Sequence, residues 1–376
     1  MHRGVSELVR WLEQQKGSGA LAVQPPAKAA DVQALEHDLG TPLPADLRLV
    51  LGRFNGSALP GGAQLFTAAP GPGATIESAL KELAAQKGQS FLDPDLLLPF
   101  ARTEHGSLLA FDRAAAPIAD TWPIVDFDAE ADEATIVHRT FDGWCRNSVG
   151  EWSASDRDEP FSLDKYVRSG ARHAAIEPDV STAHVTLGHG LRRAGDPERA
   201  LIAYLRAGRC VPPVPWADWE ALKLASILDD SESLLEAGGR LAKRAPEATW
   251  ARRGTTPSRV AFVLARAMRR LHPADEAPWR RLLELLRHRS TEEADRAAMN
   301  GILEAALAGR PVPPPAPALP PALDLDPDLD LSMARMREAY EAGRLRDDDL
   351  VLDPRYDAVA ARYPLVELVR IRREFG

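Results

Sequence analysis

Chemistry needs side chains that carry a proton, a metal ion or an electron pair, and this 376-residue chain has nine histidines, two cysteines and 55 carboxylates to draw on. Their spacing assigns them little catalytic work. His184 and His189 stand five apart, which turns them to different faces of a helix and denies them a metal-ligand pattern. His105-Gly106-Ser107 sets an imidazole near a hydroxyl, but the elbow of serine hydrolases needs glycine on both sides of the serine, so a hairpin turn is expected. Asp324, Asp326, Asp328 and Asp330 alternate like the opening of a calcium loop. Leu329 and Arg335 then occupy the places of its glycine and closing acid, so the stretch reads as solvated. APGPGAT lacks the third glycine of a dinucleotide fingerprint and the lysine of a phosphate loop. Cys145 and Cys210, as the only cysteines, exclude a disulfide framework and a four-cysteine zinc site. No cofactor, metal site or enzymatic activity is expected.

One cluster points to binding instead. Asp126, Asp128, Glu130, Asp132 and Glu133 place five carboxylates in eight residues, at a strand end and the loop after it. As a docking patch they would speed encounter with a basic partner; the plainer reading is a solvated loop. Residues 1–170 hold 15 Lys+Arg against 24 Asp+Glu, whereas residues 171–310 hold 22 against 18 and residues 311–376 hold 9 against 13. The first segment therefore repels phosphates, and direct nucleic-acid binding is not expected of it. No apolar run nears the roughly 20 residues that span a bilayer. The start, MHRGVSELVRWLEQQKG, reads as an amphipathic helix, not a signal peptide, and a cytoplasmic protein without membrane contact is expected.

The elements that must position these residues fall into regions. Residues 1–150 mix helical periods with short apolar runs. Val5, Leu8, Val9 and Leu12 share one helical face, Val32, Leu35 and Leu39 a second, and Gly40 supplies a stop. In PADLRLVLGRFNG, Pro44 opens a helix carrying Leu47, Val50, Leu51 and Phe54, and Asn55-Gly56 closes it. LLLPFAR, GSLLAFD, WPIVDFD and EATIVHRT, separated by turn formers, predict strands of one antiparallel sheet. TFDGWCRN predicts a closing helix through Phe141, Trp144 and Cys145.

Residues 151–310 are helical in pattern. Gly195-Asp196-Pro197 makes a turn between two helices, with Asp196 as N-cap. Leu187, Gly188, Ala200, Tyr204, Ala207 and Pro212 set a frame, and Pro246 repeats the place of Pro212 34 residues on. Such pairs bury their apolar sides by stacking, so an α-helical, solenoid-like repeat domain is expected. Trp216 and Trp219, at helical spacing, are read as core. Residues 311–330, rich in proline and then aspartate, read as an extended linker, and residues 331–376 as a helical tail that docks onto the repeats.

With these residues in hand, the first 150 residues resemble the SUKH superfamily, which includes fungal cell-wall assembly regulators of the Smi/Knr type and bacterial toxin-immunity proteins. DVQALEHDLGTPLPADLRLVLGRFNG carries the helix, Pro44, the second helix with Phe54, and Asn55-Gly56; LLLPFARTEHGSLLAFD carries strand, Gly106 turn, strand and Asp112. WPIVDFD and TFDGWC, with Phe141 and Trp144, resemble its last strands and closing helix. The resemblance implies an α+β domain, an antiparallel sheet flanked by helices, that binds proteins without catalysis, with Asn55 and Gly56 near its partner cleft. The second region resembles a tetratricopeptide repeat, a groove for a peptide or helix. Together these imply an immunity-type protein that neutralises a basic toxin effector such as a nuclease; the alternative is a regulatory scaffold joining two partners.

Overall fold

The computed structural model describes residues 2–69, 71, 73–85, 93–117, 121–128, 133–153, 161–214, 216–244, 256–290, 292–315 and 323–375. They form two compact units: unit 1 takes Met1–Pro160 and Ala171–Ala183, and unit 2 takes Phe161–Gly170 and His184–Gly376.

Unit 1 opens with α1 (Arg3–Ser18), which buries Val5, Leu8 and Leu12 and stops at Gly19 in the left-handed region, φ 68°. Helix α2 (Ala29–Leu39) stops the same way at Gly40. Helix α3 (Ala45–Leu51) departs from expectation at both ends. Pro44 is its N-cap, not a residue of the first turn, and the helix ends at Leu51 with Gly52 as C-cap. Asn55-Gly56 is therefore not its stop. Phe54 follows in a tight turn, its N–H 2.7 Å from the Val50 carbonyl, and is buried in the core.

The sheet is antiparallel in the order β1 (Ser57–Ala58), β2 (Gln64–Leu65), β3 (Leu97–Arg102), β4 (Leu108–Asp112), β5 (Ile124–Asp128), β6 (Glu133–His138). Helix α4 (Ile76–Ala85) lies between β2 and β3 in sequence. The register of β3 on β4 shifts between Pro99 and Ala101, a bulge that accommodates a proline inside a strand. Phe100, at the bulge, joins an aromatic cluster: its ring lies 5.0 Å from Phe111, 5.3 Å from Phe141 and 5.0 Å from Trp144. Phe141 and Trp144 come from α5 (Phe141–Trp152), which Thr140 caps by accepting the Gly143 N–H at 3.0 Å. Such a cluster adds aromatic contacts to area burial and fixes α5 on the sheet. Helix α1 covers the other side of α5. The Gly4 N–H donates to Asp142 Oδ1 at 2.6 Å, and a Cβ at Gly4 would meet the Asp142 carbonyl at 2.3 Å.

The chain continues as α6 (Leu163–Ile176), α7 (Ser181–Arg193), α8 (Pro197–Arg209), α9 (Ala217–Ile227), α10 (Ser231–Lys243), α11 (Pro257–Leu271), α12 (Ala277–Arg289) and α13 (Glu293–Leu307). Asp196 caps α8 by accepting the Arg199 N–H, with Pro197 at its first position, as the sequence predicts. Gly188 lets Tyr204 approach α7: a Cβ there would lie 2.9 Å from the ring. Trp219 is buried among these helices.

The tail is part of this core. Helix α14 (Leu329–Glu341) contributes Met336 and Tyr340, α15 (Asp347–Leu352) contributes Leu350 and Leu352, and α16 (Asp357–Ala360) and α17 (Val366–Val369) add Val359 and Leu368. Within the segment 311–330, residues 316–322 lie outside the described residues, and the rest corrects the linker reading. Val312 is buried, Leu323 and Leu325 pack on the core, and Leu329 and Asp330 already belong to α14. Leucines spaced between the aspartates supply an apolar side that a solvated linker would leave wet.

Ion pairs seat the tail. Arg192 holds Asp347 through Nε at 2.7 Å and Nη2 at 2.5 Å, and Tyr340 donates its hydroxyl to the same carboxylate at 2.7 Å. Trp219 Nε1 and Lys223 Nζ donate to Asp348 at 3.0 and 2.8 Å, and Arg266 reaches Asp357. Burial alone would raise the Asp347 carboxyl, but the charges of Arg192 and Lys223 override it and hold it below the usual carboxylate range.

Candidate functional site

Strand β6 is the last of the sheet; of the acidic cluster, Asp126 and Asp128 lie on β5 beside it and Glu133 opens β6. Alternation along β5 puts Ile124, Asp126 and Asp128 on one face, passing from buried to half-buried to exposed. Asp126 lies opposite Leu109 on β4 and Thr135 on β6. Its setting differs from a solvated loop. Burial pushes its carboxyl up against a hydrogen bond with Ser107, neighbouring Asp128 adds to the rise, and Oδ1 is buried without a hydrogen-bond partner. Asp128 is exposed and registers with Glu133, the first residue of β6. Glu130 and Asp132 lie outside the described residues.

Asn55 and Gly56, read as partner-binding, spend their polar groups inside the unit. Asn55 Oδ1 accepts the Ala68 N–H at 2.7 Å, and its own N–H donates to the Pro25 carbonyl at 2.9 Å. Gly56 alone of the two has positive φ, 84°, and a Cβ there would lie 2.6 Å from Thr67 Cγ2. The pair braces the strand that follows. Beside it, an open cleft of about 510 Å³ is lined by Glu13, Lys16, Gly17, Pro26, Arg53 and Phe54.

The remaining motif residues serve the scaffold. Gly106, φ 92°, turns the β3–β4 hairpin, closed by the Thr103 N–H on the Ser107 carbonyl, and His105 stands exposed in that turn. Asp112 Oδ1 accepts the Ala114 N–H where β4 ends. In unit 2, Ala200, Tyr204 and Ala207 are buried, Leu187 is half-buried, Gly188 admits Tyr204, and Pro212 is exposed. Pro246 lies outside the described residues.

Sequence reasoning missed a trio in unit 1, of which His138 and Glu177 are buried and His173 half-buried. His138 closes β6, His173 sits in the last turn of α6, and Glu177 follows that helix, its N–H 2.9 Å from the His173 carbonyl. His138 Nδ1 lies 2.6 Å from Glu177 Oε2, and His173 Nε2 lies 3.5 Å from the same oxygen. Glu177 Oε1 accepts the N–H groups of Arg139 at 2.8 Å and Thr140 at 3.3 Å. Gly143 makes room: a Cβ there would meet the carboxylate at 2.2 Å. Burial works against the Glu177 charge, but the two imidazoles and the Arg139 N–H hold its carboxyl at about 2, while burial lowers His138. One signal was available: His173 and Glu177 stand four apart, the spacing that sets two residues on one face of a helix. The third member, 35 residues earlier, meets them only in the fold.

Among the described residues no helix is long and apolar enough to cross a membrane. No curated protein matches the chain. Residues 26–147 match the model of the SMI1 / KNR4 family (SUKH-1), which bears out over that segment, the greater part of unit 1, the resemblance read from the motifs.

Proposed function

We propose that the protein is a non-catalytic, immunity-type binder whose first unit captures and neutralises a basic toxin effector, a nuclease being the class whose surface fits. The observation that carries the reading is where the charge lies. Unit 1 holds 14 Lys+Arg against 25 Asp+Glu, a balance of −11, whereas unit 2 holds 32 against 30. The entire negative surplus falls in the unit that contains the SUKH-1 match. A surface of one sign speeds encounter with an oppositely charged partner and excludes acidic competitors. An enzyme that binds nucleic acid must present cations, and an acidic face at the β5–β6 edge competes for them.

The scaffold alternative needs the helical unit to offer a second open site. The cations on α7, α9 and α11 that would greet an acidic peptide, Arg192, Lys223 and Arg266, are taken by Asp347, Asp348 and Asp357 of the same chain. This supports a single binding unit over two.

Affinity capture from native lysate, followed by mass spectrometry, tests the reading. One small basic protein at stoichiometric yield, lost when unit 1 is blocked, is the expected result. Several partners retained by the helical unit would replace it with the scaffold.

A further inference from the structure

We propose that His138, His173 and Glu177 form a binding site for one divalent transition-metal ion of the zinc class, inside unit 1. The donor set is two imidazoles and one carboxylate, and the three donor atoms lie within 4.8 Å of one another. Two histidines and a glutamate suit zinc and its neighbours; calcium and magnesium prefer all-oxygen sets.

Protons alone leave the cluster incomplete. One imidazole N–H, from His138, satisfies Glu177 Oε2 at 2.6 Å, while His173 Nε2 stands 3.5 Å from the same oxygen, at the outer limit of a hydrogen bond, and has no closer partner. Buried polar atoms are otherwise nearly always satisfied. A tetrahedral ion at about 2.0–2.2 Å from each donor holds donors roughly 3.3 Å apart. The His173–Glu177 contact of 3.5 Å already has that spacing, and the His138–Glu177 contact of 2.6 Å would open by less than an ångström.

The surroundings are those of a held ligand. The second carboxylate oxygen is fixed by the Arg139 and Thr140 N–H groups, which orients Oε2 toward both rings. Gly143 keeps the space over Glu177 clear. The His138 and His173 rings lie 4.5 Å apart at 37°, both beside the same carboxylate oxygen. Three protein ligands leave one position for water. With His138 and Glu177 almost fully buried, the ion would act as a staple between the β6–α5 junction and the segment 171–183.

The test uses the full chain, stripped with chelator and titrated with Zn²⁺, with Co²⁺ as a spectroscopic probe. The expected result is one equivalent of zinc per chain, visible absorption bands from bound cobalt, and a higher melting temperature on loading. His173→Gln and Glu177→Gln, each checked for folding by circular dichroism, should weaken binding by roughly 100-fold or more. His105→Gln, at the exposed hairpin, should leave binding unchanged. Failure of the stripped chain to take up zinc, or equal uptake by a folded His173→Gln variant, overturns the proposal and leaves a hydrogen-bonded network in its place.

Discussion

Prominent aspartates in the two units do different work. In unit 2, Asp347, Asp348 and Asp218 sit against Arg192, Lys223, Arg240 and Arg244, so their charge is spent on holding helices and tail together. In unit 1, Asp126 and Asp128 lie on β5, next to the last strand of the sheet, one half-buried and the other exposed. Similar acid counts thus mean different things: interior acids are neutralised locally and add little to the outer field, whereas exposed acids such as Asp128 shape what approaches. Among the described residues of unit 1, Glu177 is the exception, a buried acid in the manner of unit 2.

The largest effect should come from removing an interior acid. Asp347→Ala leaves Arg192 buried without its partner and should cost unit 2 about 3–5 kcal/mol in urea unfolding. A loss below about 1 kcal/mol would erase the contrast between the units. The same residue sets a pH response. Its folded pKa lies below the unfolded value, so its stabilisation is complete above the ordinary aspartate range, near pH 4, and drains away as pH falls through the folded value. Acid titration should show this slope in the native chain and lose it in Asp347→Asn.

A middle-sized effect belongs to the exception. Gly143→Ala drives a methyl into the Glu177 carboxylate and should destabilise unit 1 by about 1–3 kcal/mol, read from its own unfolding transition. The smallest change in stability should follow Asp126→Asn with Asp128→Asn, within about 0.5 kcal/mol. Their effect should appear instead in kinetics: slower association with the captured partner and a flatter salt dependence by surface plasmon resonance. An unchanged on-rate at low salt would remove the acidic edge from the proposed function.

Much of unit 1 was legible because its signals are local. LLLPFAR, LLAFD and IVDFD are apolar runs bounded by turn formers, and each became a strand. Asp196-Pro197 opened a helix where capping chemistry says it should. What stayed hidden depends on partners distant in sequence. The reading of residues 331–376 as a helical tail did not show that Asp347 and Asp348, at the start of α15, would meet Arg192 and Lys223. Asn55-Gly56 has a helix-ending composition, yet the helix stops at Leu51 and the pair serves the loop at Ala68. His138 gives no sign of His173, because a strand end and a helix end meet only through tertiary packing.

The helix α1 precedes the segment that matches the family, and Trp152 follows it, yet both are built into the unit: the Trp11 and Trp152 rings lie 4.9 Å apart and Trp144 lies 6.2 Å from Trp152. Anyone excising residues 26–147 as a minimal domain would strip that lid and bare the aromatic flank of α5 to solvent. Such a fragment should be prone to clumping and difficult to purify. A start at Met1 and an end that retains residues 171–183 would keep the flank covered and the Glu177 brace in place.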